Sequence, residues 1–131
     1  MLLPTTLAMA AAAALINFWL MLRCGQVRTK EKINIGTGGS DLMERRMRAH
    51  ANFVENTPWV LALVGLLELA GKGGQWLAIA AAVFMLGRVA HGLGMDGTGP
   101  FKSGRMIGTL TAMLAQIGLA IVAVLVLLGH M

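Results

Sequence analysis

The sequence predicts an all-α membrane protein, a single domain over residues 1–131 folded as an antiparallel bundle of four transmembrane helices. Three observations carry that prediction. Hydrophobic residues make up 56% of the chain and charged residues only 13%, against roughly a quarter charged in an ordinary soluble domain. Met1 to Leu22 and Met106 to Met131 contain no charged residue, and each exceeds the roughly 20 residues needed to cross a bilayer core of about 30 Å. Finally, the net charge of +5, from 11 Lys and Arg against 6 Asp and Glu, is distributed as a membrane topology requires.

The first helix is expected over about residues 4–23. Its Ala-rich start resembles a signal peptide, but the positive leading region is missing and Arg23, Gly25 and Gln26 follow it where small residues would mark a cleavage site. A retained span is the expectation. A loop from about Gly25 to Asp41 follows, ending in Gly-Thr-Gly-Gly-Ser; it lacks the Gly-Lys-Ser/Thr of a phosphate-binding loop and reads as a connector, with Ser40 or Asp41 capping the next helix. The second helix, about 47–70, has a charge-free run only from Asn56 to Leu67, so spanning the membrane draws in Arg48, His50, Asn52 and Glu55. Pro58 cannot donate to the carbonyl of Val54, which predicts a kink near Glu55. The third helix, about 74–94, likewise draws in Arg88 and His91, and the fourth covers about 104–129.

Loops one and three of such a chain lie on one side of the membrane. With their flanks they hold Arg23, Arg28, Lys30, Lys32, Arg45, Arg46, Arg48, Arg88, Lys102 and Arg105, leaving only Lys72 on the other side. The positive-inside rule makes that side cytoplasmic and puts both termini in the periplasm or lumen, as in a bacterial inner membrane. A basic protein of this kind needs no nucleic acid to explain its charge.

Several of these residues lie too deep for orientation alone. Arg45, Arg48, Asn52 and Glu55 share one helix face, and Glu55 sits about 10 Å further along the axis than Arg48 at 1.5 Å per residue. An ionised carboxylate at that depth costs at least about 2.5–3.5 kcal/mol unless partnered, so this face must look into a bundle interior or a wet cavity. Arg88 and His91 on the third helix, and Arg105 and Thr109 on the fourth, reach the same layer. Structural alternatives exist: Arg88 pairs with Glu55 or Glu44, and Arg46 and Lys30 touch lipid headgroups. Arg48, Asn52, Glu55 and Arg105 together read as a site. Arginine binds carboxylates through paired hydrogen bonds, while Glu55 and Asn52 can receive an ammonium or amide. A small zwitterionic peptide of net negative charge fits, with an apolar second substrate supplied from the lipid. His50 and His91 stand apart from other ligand types, and Cys24 is the only cysteine, so no metal site and no internal disulfide is expected. The Met, Ala and Gly content suits close helix packing.

Three stretches resemble the family of membrane-associated proteins in eicosanoid and glutathione metabolism, MAPEG. They are Gly25-Gln26-Val27-Arg28; Glu44-Arg45-x-x-Arg48-Ala49-His50-x-Asn52-x-x-Glu55-x-x-Pro58; and Gly87-Arg88-Val89-Ala90-His91 followed after a loop by Arg105. The microsomal glutathione transferase and prostaglandin E synthase branches are the nearest in pattern. The resemblance implies a homotrimer binding glutathione between subunits near the cytoplasmic face, with contacts from Arg28, Arg48, His50, Asn52, Glu55 and His91. It also implies that Arg105 stabilises the glutathione thiolate, in a glutathione transferase acting on lipophilic electrophiles, with peroxidase activity a further outlet for the same thiolate. The pattern departs in three respects: animal members place glutathione-holding tyrosines where this tyrosine-free chain has Asn56, Met95 and Thr109, Ala51 stands where the prostaglandin synthase branch has an arginine, and the glycine-rich loop from Gly92 to Gly104 aligns with an insertion. A non-catalytic lipid-binding or scaffold protein of the same fold is therefore the alternative. A transporter or proton relay through Glu55 and His91 fits less well, since the polar residues gather at one end rather than at mid-membrane.

Overall fold

The computed structural model of residues 1–131 is all-helical, with four helices: α1 (Pro4–Glu31), α2 (Asp41–Leu69), α3 (Gln75–Gly94) and α4 (Gly104–Leu127). Of these, α1, α3 and α4 are long and apolar enough to cross a membrane. The charged first half of α2 keeps it below that threshold of composition, but it lies antiparallel against α1 from end to end. At one end the backbone N–H groups of Thr5 and Thr6 meet the carboxylate of Glu68 at 2.9 and 2.8 Å; at the other Arg46 donates to the carbonyl of Arg23 at 3.0 Å. Thus α2 occupies the same slab as α1.

The first two helices are longer than hydropathy alone indicates. The first continues eight residues beyond residue 23, and the second begins at Asp41 instead of 47. Hydropathy marks where a membrane would end, whereas the helix ends where its backbone is capped. Lys32 adopts a left-handed conformation and its N–H closes on Arg28 O, the usual way of stopping a helix. Of the two candidate caps, Ser40 rather than Asp41 starts α2: its hydroxyl accepts from Met43 N at 3.1 Å and donates to Glu31 at 2.9 Å, clasping the two helix ends. At Pro58, α2 runs on without interruption.

The N-terminus of α1 has Pro4 in its first turn and no side-chain cap of its own. Glu68 supplies one from across the bundle, also accepting from Thr6 Oγ1 at 2.7 Å. A carboxylate there satisfies orphan donors and complements the positive end of the helix dipole.

Burial makes α3 the central element: half of its most apolar window is buried, against 11% for α1 and α4. Leu77, Ala81, Phe84, Arg88 and His91 form one buried stripe on α3, and Ala49, Phe53, Thr57, Val60, Val64 and Leu67 form another on α2. Each follows the three- and four-residue spacing of a helix face. The α3–α4 contact is made by glycines. A Cβ on Gly104 would overlap the carbonyl oxygen of Ala90, and one on Gly108 would overlap His91 Cβ and the carbonyl of Gly87. The Gly104, Gly108, Ala112 stripe thus lets two backbones touch, as small residues at four-residue spacing do in membrane bundles.

Candidate functional site

The buried cation Arg88 organises the layer in which α2, α3 and α4 meet. Its side chain is 2% exposed. Nη1 donates to Asn52 Oδ1 on α2 at 2.6 Å, Nη2 donates to the carbonyl of Gly108 on α4, and the guanidinium lies 5.5 Å from the centre of the Phe84 ring. The alternative of an ion pair with Glu55 or Glu44 is overturned: the partners are an amide and a backbone carbonyl, and Nε has none. From Asn52 the polar contacts continue deeper. Asn56 Nδ2 donates to Asn52 O at 2.8 Å, and Gln116 Nε2 donates to Asn56 Oδ1 at 2.7 Å, so α2 and α4 are joined by neutral amides well inside the apolar segments.

Arg48 and Glu55 lie on the outer side of α2, 3.6 Å apart, with side chains 53% and 58% exposed. Such a pair is loose in water, but within a bilayer an ion pair open to one side requires a covering surface. Arg105 stands exposed in the first turn of α4, its side chain making no hydrogen bond or ion pair in the chain; only its carbonyl is engaged, by Thr109 Oγ1 at 2.8 Å. Its backbone is tightly seated, because a Cβ on Gly94 would overlap Arg105 N. His91, buried one turn from Arg88, packs its Cβ on Gly108.

The remaining candidates face elsewhere. His50 Nε2 meets Asn17 Oδ1 of α1 at 2.8 Å, and Arg28 donates to the carbonyl of Gly36 at 2.9 Å and touches Met47 Sδ at 3.7 Å. The structure therefore divides the predicted residues. Arg48, Asn52, Glu55, His91 and Arg105 lie on the α2–α3–α4 side, whereas Arg28 and His50 lie on the α1–α2 side. No three His, Cys, Asp or Glu side chains converge as a metal cage would need.

One contact at this end of the bundle has no counterpart in the sequence pattern. Arg46, expected at lipid headgroups, donates instead to Asp96 in the α3–α4 loop, at 3.3 Å from Nε and 3.2 Å from Nη2. Arg23 reaches the same carboxylate at 2.7 Å while its guanidinium lies 5.1 Å from the Trp19 ring centre. Asp96 thereby ties α1 and α2 to the loop that delivers Arg105. Partial burial pushes the Asp96 carboxyl up, but the hydrogen bonds and positive charge of Arg46 and Arg23 outweigh it and hold it below its ordinary range. A carboxyl so lowered contributes stability above its unfolded pKa of about 3.9, and that contribution is lost as pH falls through the lower folded value. Thermal unfolding in detergent should therefore show a melting temperature that drops below about pH 4. Asp96→Asn should reduce that drop and cost about 1–3 kcal/mol at neutral pH, as lost charge-assisted hydrogen bonds do.

The three residues that the resemblance sets against family tyrosines offer no free hydroxyl. Asn56 is engaged with Gln116, Met95 is buried, and the Thr109 hydroxyl is turned onto its own helix. In comparisons with known proteins, the model of the MAPEG family matches residues 6–125. No curated protein matches the chain.

Proposed function

The chain belongs to the MAPEG family, and on that premise we propose that it is a membrane-embedded glutathione transferase joining the glutathione thiolate to lipophilic electrophiles. The observation that carries this reading is Arg105, an exposed guanidinium without a partner in its own chain, held at the basic end of the bundle in the first turn of the helix that packs on His91. A free cation of fixed backbone position is suited to an anion that arrives from outside the chain. In the reaction the thiolate sulfur attacks an electrophilic carbon, the carbon–sulfur bond forms, and the leaving group departs with its electron pair.

The division of the predicted residues supports a homotrimer. Arg28 and His50 bond residues on the α1–α2 side of their bundle, whereas Arg105 opens α4. In a ring of copies the α1–α2 side of one subunit meets the α2–α4 side of the next, and both sets line one cleft. The same contact covers the exposed Arg48–Glu55 pair. The basic end is the cytoplasmic one by the distribution of Lys and Arg, so glutathione enters from the cytosol and the electrophile from the lipid.

Without tyrosines, the tripeptide is held by charge and amide contacts. Titration calorimetry of glutathione into the detergent-solubilised protein should therefore give saturable binding at millimolar concentration or below, weakened by added salt as an arginine–carboxylate contact is screened. Absence of binding at millimolar glutathione would overturn the transferase reading in favour of a lipid-binding protein of the same fold.

A further inference from the structure

A side-chain amide has two ends of nearly equal shape and opposite hydrogen-bonding sense, so its role depends on which way it is turned. The surroundings of Asn52 decide this. Its neighbour Arg88 carries only donors, and the contact is short, 2.6 Å from Nη1 to the amide group. The oxygen must face Arg88, because the opposite orientation would set two donors against each other. Arg88 cannot turn away: it is buried, its Nη2 is bound to the carbonyl of Gly108, and Phe84 lies beneath its guanidinium. The backbone oxygen of Asn52 is also occupied, by Asn56 Nδ2. What remains is Asn52 Nδ2, on a half-buried residue and donating to nothing within the chain.

We infer that Arg88 is a positioning residue that locks the Asn52 amide with its nitrogen toward the ligand, making this subsite a hydrogen-bond donor selective for a carboxylate or peptide carbonyl over an ammonium. The inference deepens the glutathione reading and rests on it for the identity of the ligand. It also reverses one expectation: Asn52 cannot receive an ammonium, since its acceptor is already taken. An ammonium in the same ligand is left to Glu55, whose carboxylate meets only Arg48, and at 3.6 Å.

The decisive variant is Asn52→Asp, which keeps the shape and gives Arg88 a better partner but has no donor to offer. Glutathione affinity, read by calorimetry, should fall about tenfold or more, the loss of one hydrogen bond to a charged group, while the thermal midpoint stays at or above that of the wild type. If Asn52 serves only as a partner for Arg88, Asn52→Asp binds like the wild type, and the inference is overturned. Should that variant fail to fold, Arg88 itself gives the answer. Arg88→Lys keeps a donor-only neighbour and should retain binding, whereas Arg88→Gln, able to accept, frees the amide and should lose it; equal affinities would refute the lock. Should the wild type bind no glutathione, the transferase reading fails separately. The lock is then decided by nitrogen-15 spectra of the asparagine side chains, of which the chain has four. The Asn52 amide pair should shift and exchange faster with solvent in Arg88→Gln, and an unmoved pair rejects the inference.

Discussion

Gly108→Ala should destabilise the bundle by more than about 3 kcal/mol, and Gly108→Leu should yield no folded protein. Overpacking a core ordinarily costs about 1–3 kcal/mol because neighbouring side chains rotate or shift to make room. Here that relief is missing. The atoms that a Cβ on Gly108 would overlap are the carbonyl oxygen of Gly87 and the Cβ and Cα of His91, which move only if α3 moves. Separating α3 from α4 would also break the bond from Arg88 to the Gly108 carbonyl and leave a buried guanidinium short of an acceptor, a further loss of the kind that makes buried polar groups costly. Against a total domain stability of about 5–15 kcal/mol, the sum is decisive. Gly118 on the same helix is the control: nothing lies within 4 Å of its Cβ position. Gly118→Ala should be neutral or stabilising by up to about 1 kcal/mol through helix propensity alone. Thermal unfolding of both variants in one detergent makes the comparison. Equal behaviour would show that α3 and α4 are not in backbone contact.

The same glycines show what a sequence discloses and what it withholds. Gly104, Gly108 and Ala112 stand four apart in an apolar segment, a pattern that announces close helix approach, but nothing in it says which helix approaches. The partner surface on α3, with Gly87 and Gly94, is spaced seven apart and interrupted by the bulk of Arg88 and His91. The four spans, their antiparallel order and the Ser40 cap were legible because each rests on local periodicity, charge or capping chemistry. The ends of α1 and α2 were not, since Arg23 to Glu31 and Asp41 to Arg46 carry the charges by which a loop is recognised, and a helix leaving a membrane carries them too.

For the candidate site, residue types and depth were legible, and partnerships were not. Asn52, Glu55 and Arg105 could be singled out because polar groups are costly at their depth. That Arg88 chooses Asn52 over a carboxylate depends on the rotation of α3 relative to α2, which no spacing within either helix encodes. Asp96 is the sharpest case. It is a lone acid in a glycine-rich loop, and its partners Arg23 and Arg46 lie 73 and 50 residues away in sequence. Its signal is visible only in hindsight, as one of just six acidic residues among eleven basic ones. The loop it fastens leads into the helix that carries Arg105.

Arg105→Ala should change the rate of glutathione conjugation in a manner that depends on pH. A free thiol of pKa about 8.5 is only a few per cent ionised at pH 7. If Arg105 lowers the bound thiol by about two units, worth about 2.7 kcal/mol, the thiolate fraction at pH 6 is about a quarter in the wild type and about 0.3% in the variant. That is a loss of about 75-fold in reactive species. Part of it is returned, because a more basic thiolate is the better nucleophile, with a Brønsted slope of about 0.4–0.5; two pKa units recover about eightfold. The net expectation from charge alone is a deficit of about tenfold at pH 6 that closes near about pH 7.6 and reverses above it, where the more basic thiolate of the variant is ionised as well and becomes the faster by up to about eightfold. The sign follows from the cation: removing it raises the thiol pKa, so the variant needs a higher pH to reach the same ionisation. Arg105→Lys keeps the charge without the planar fork and should fall between the two. The rate with a chloronitrobenzene substrate, measured from pH 6 to 9.5 at saturating glutathione, makes the test. A deficit of constant size across that range would mean that Arg105 positions the tripeptide without ionising it, and rates equal to the wild type throughout would remove Arg105 from the chemistry altogether.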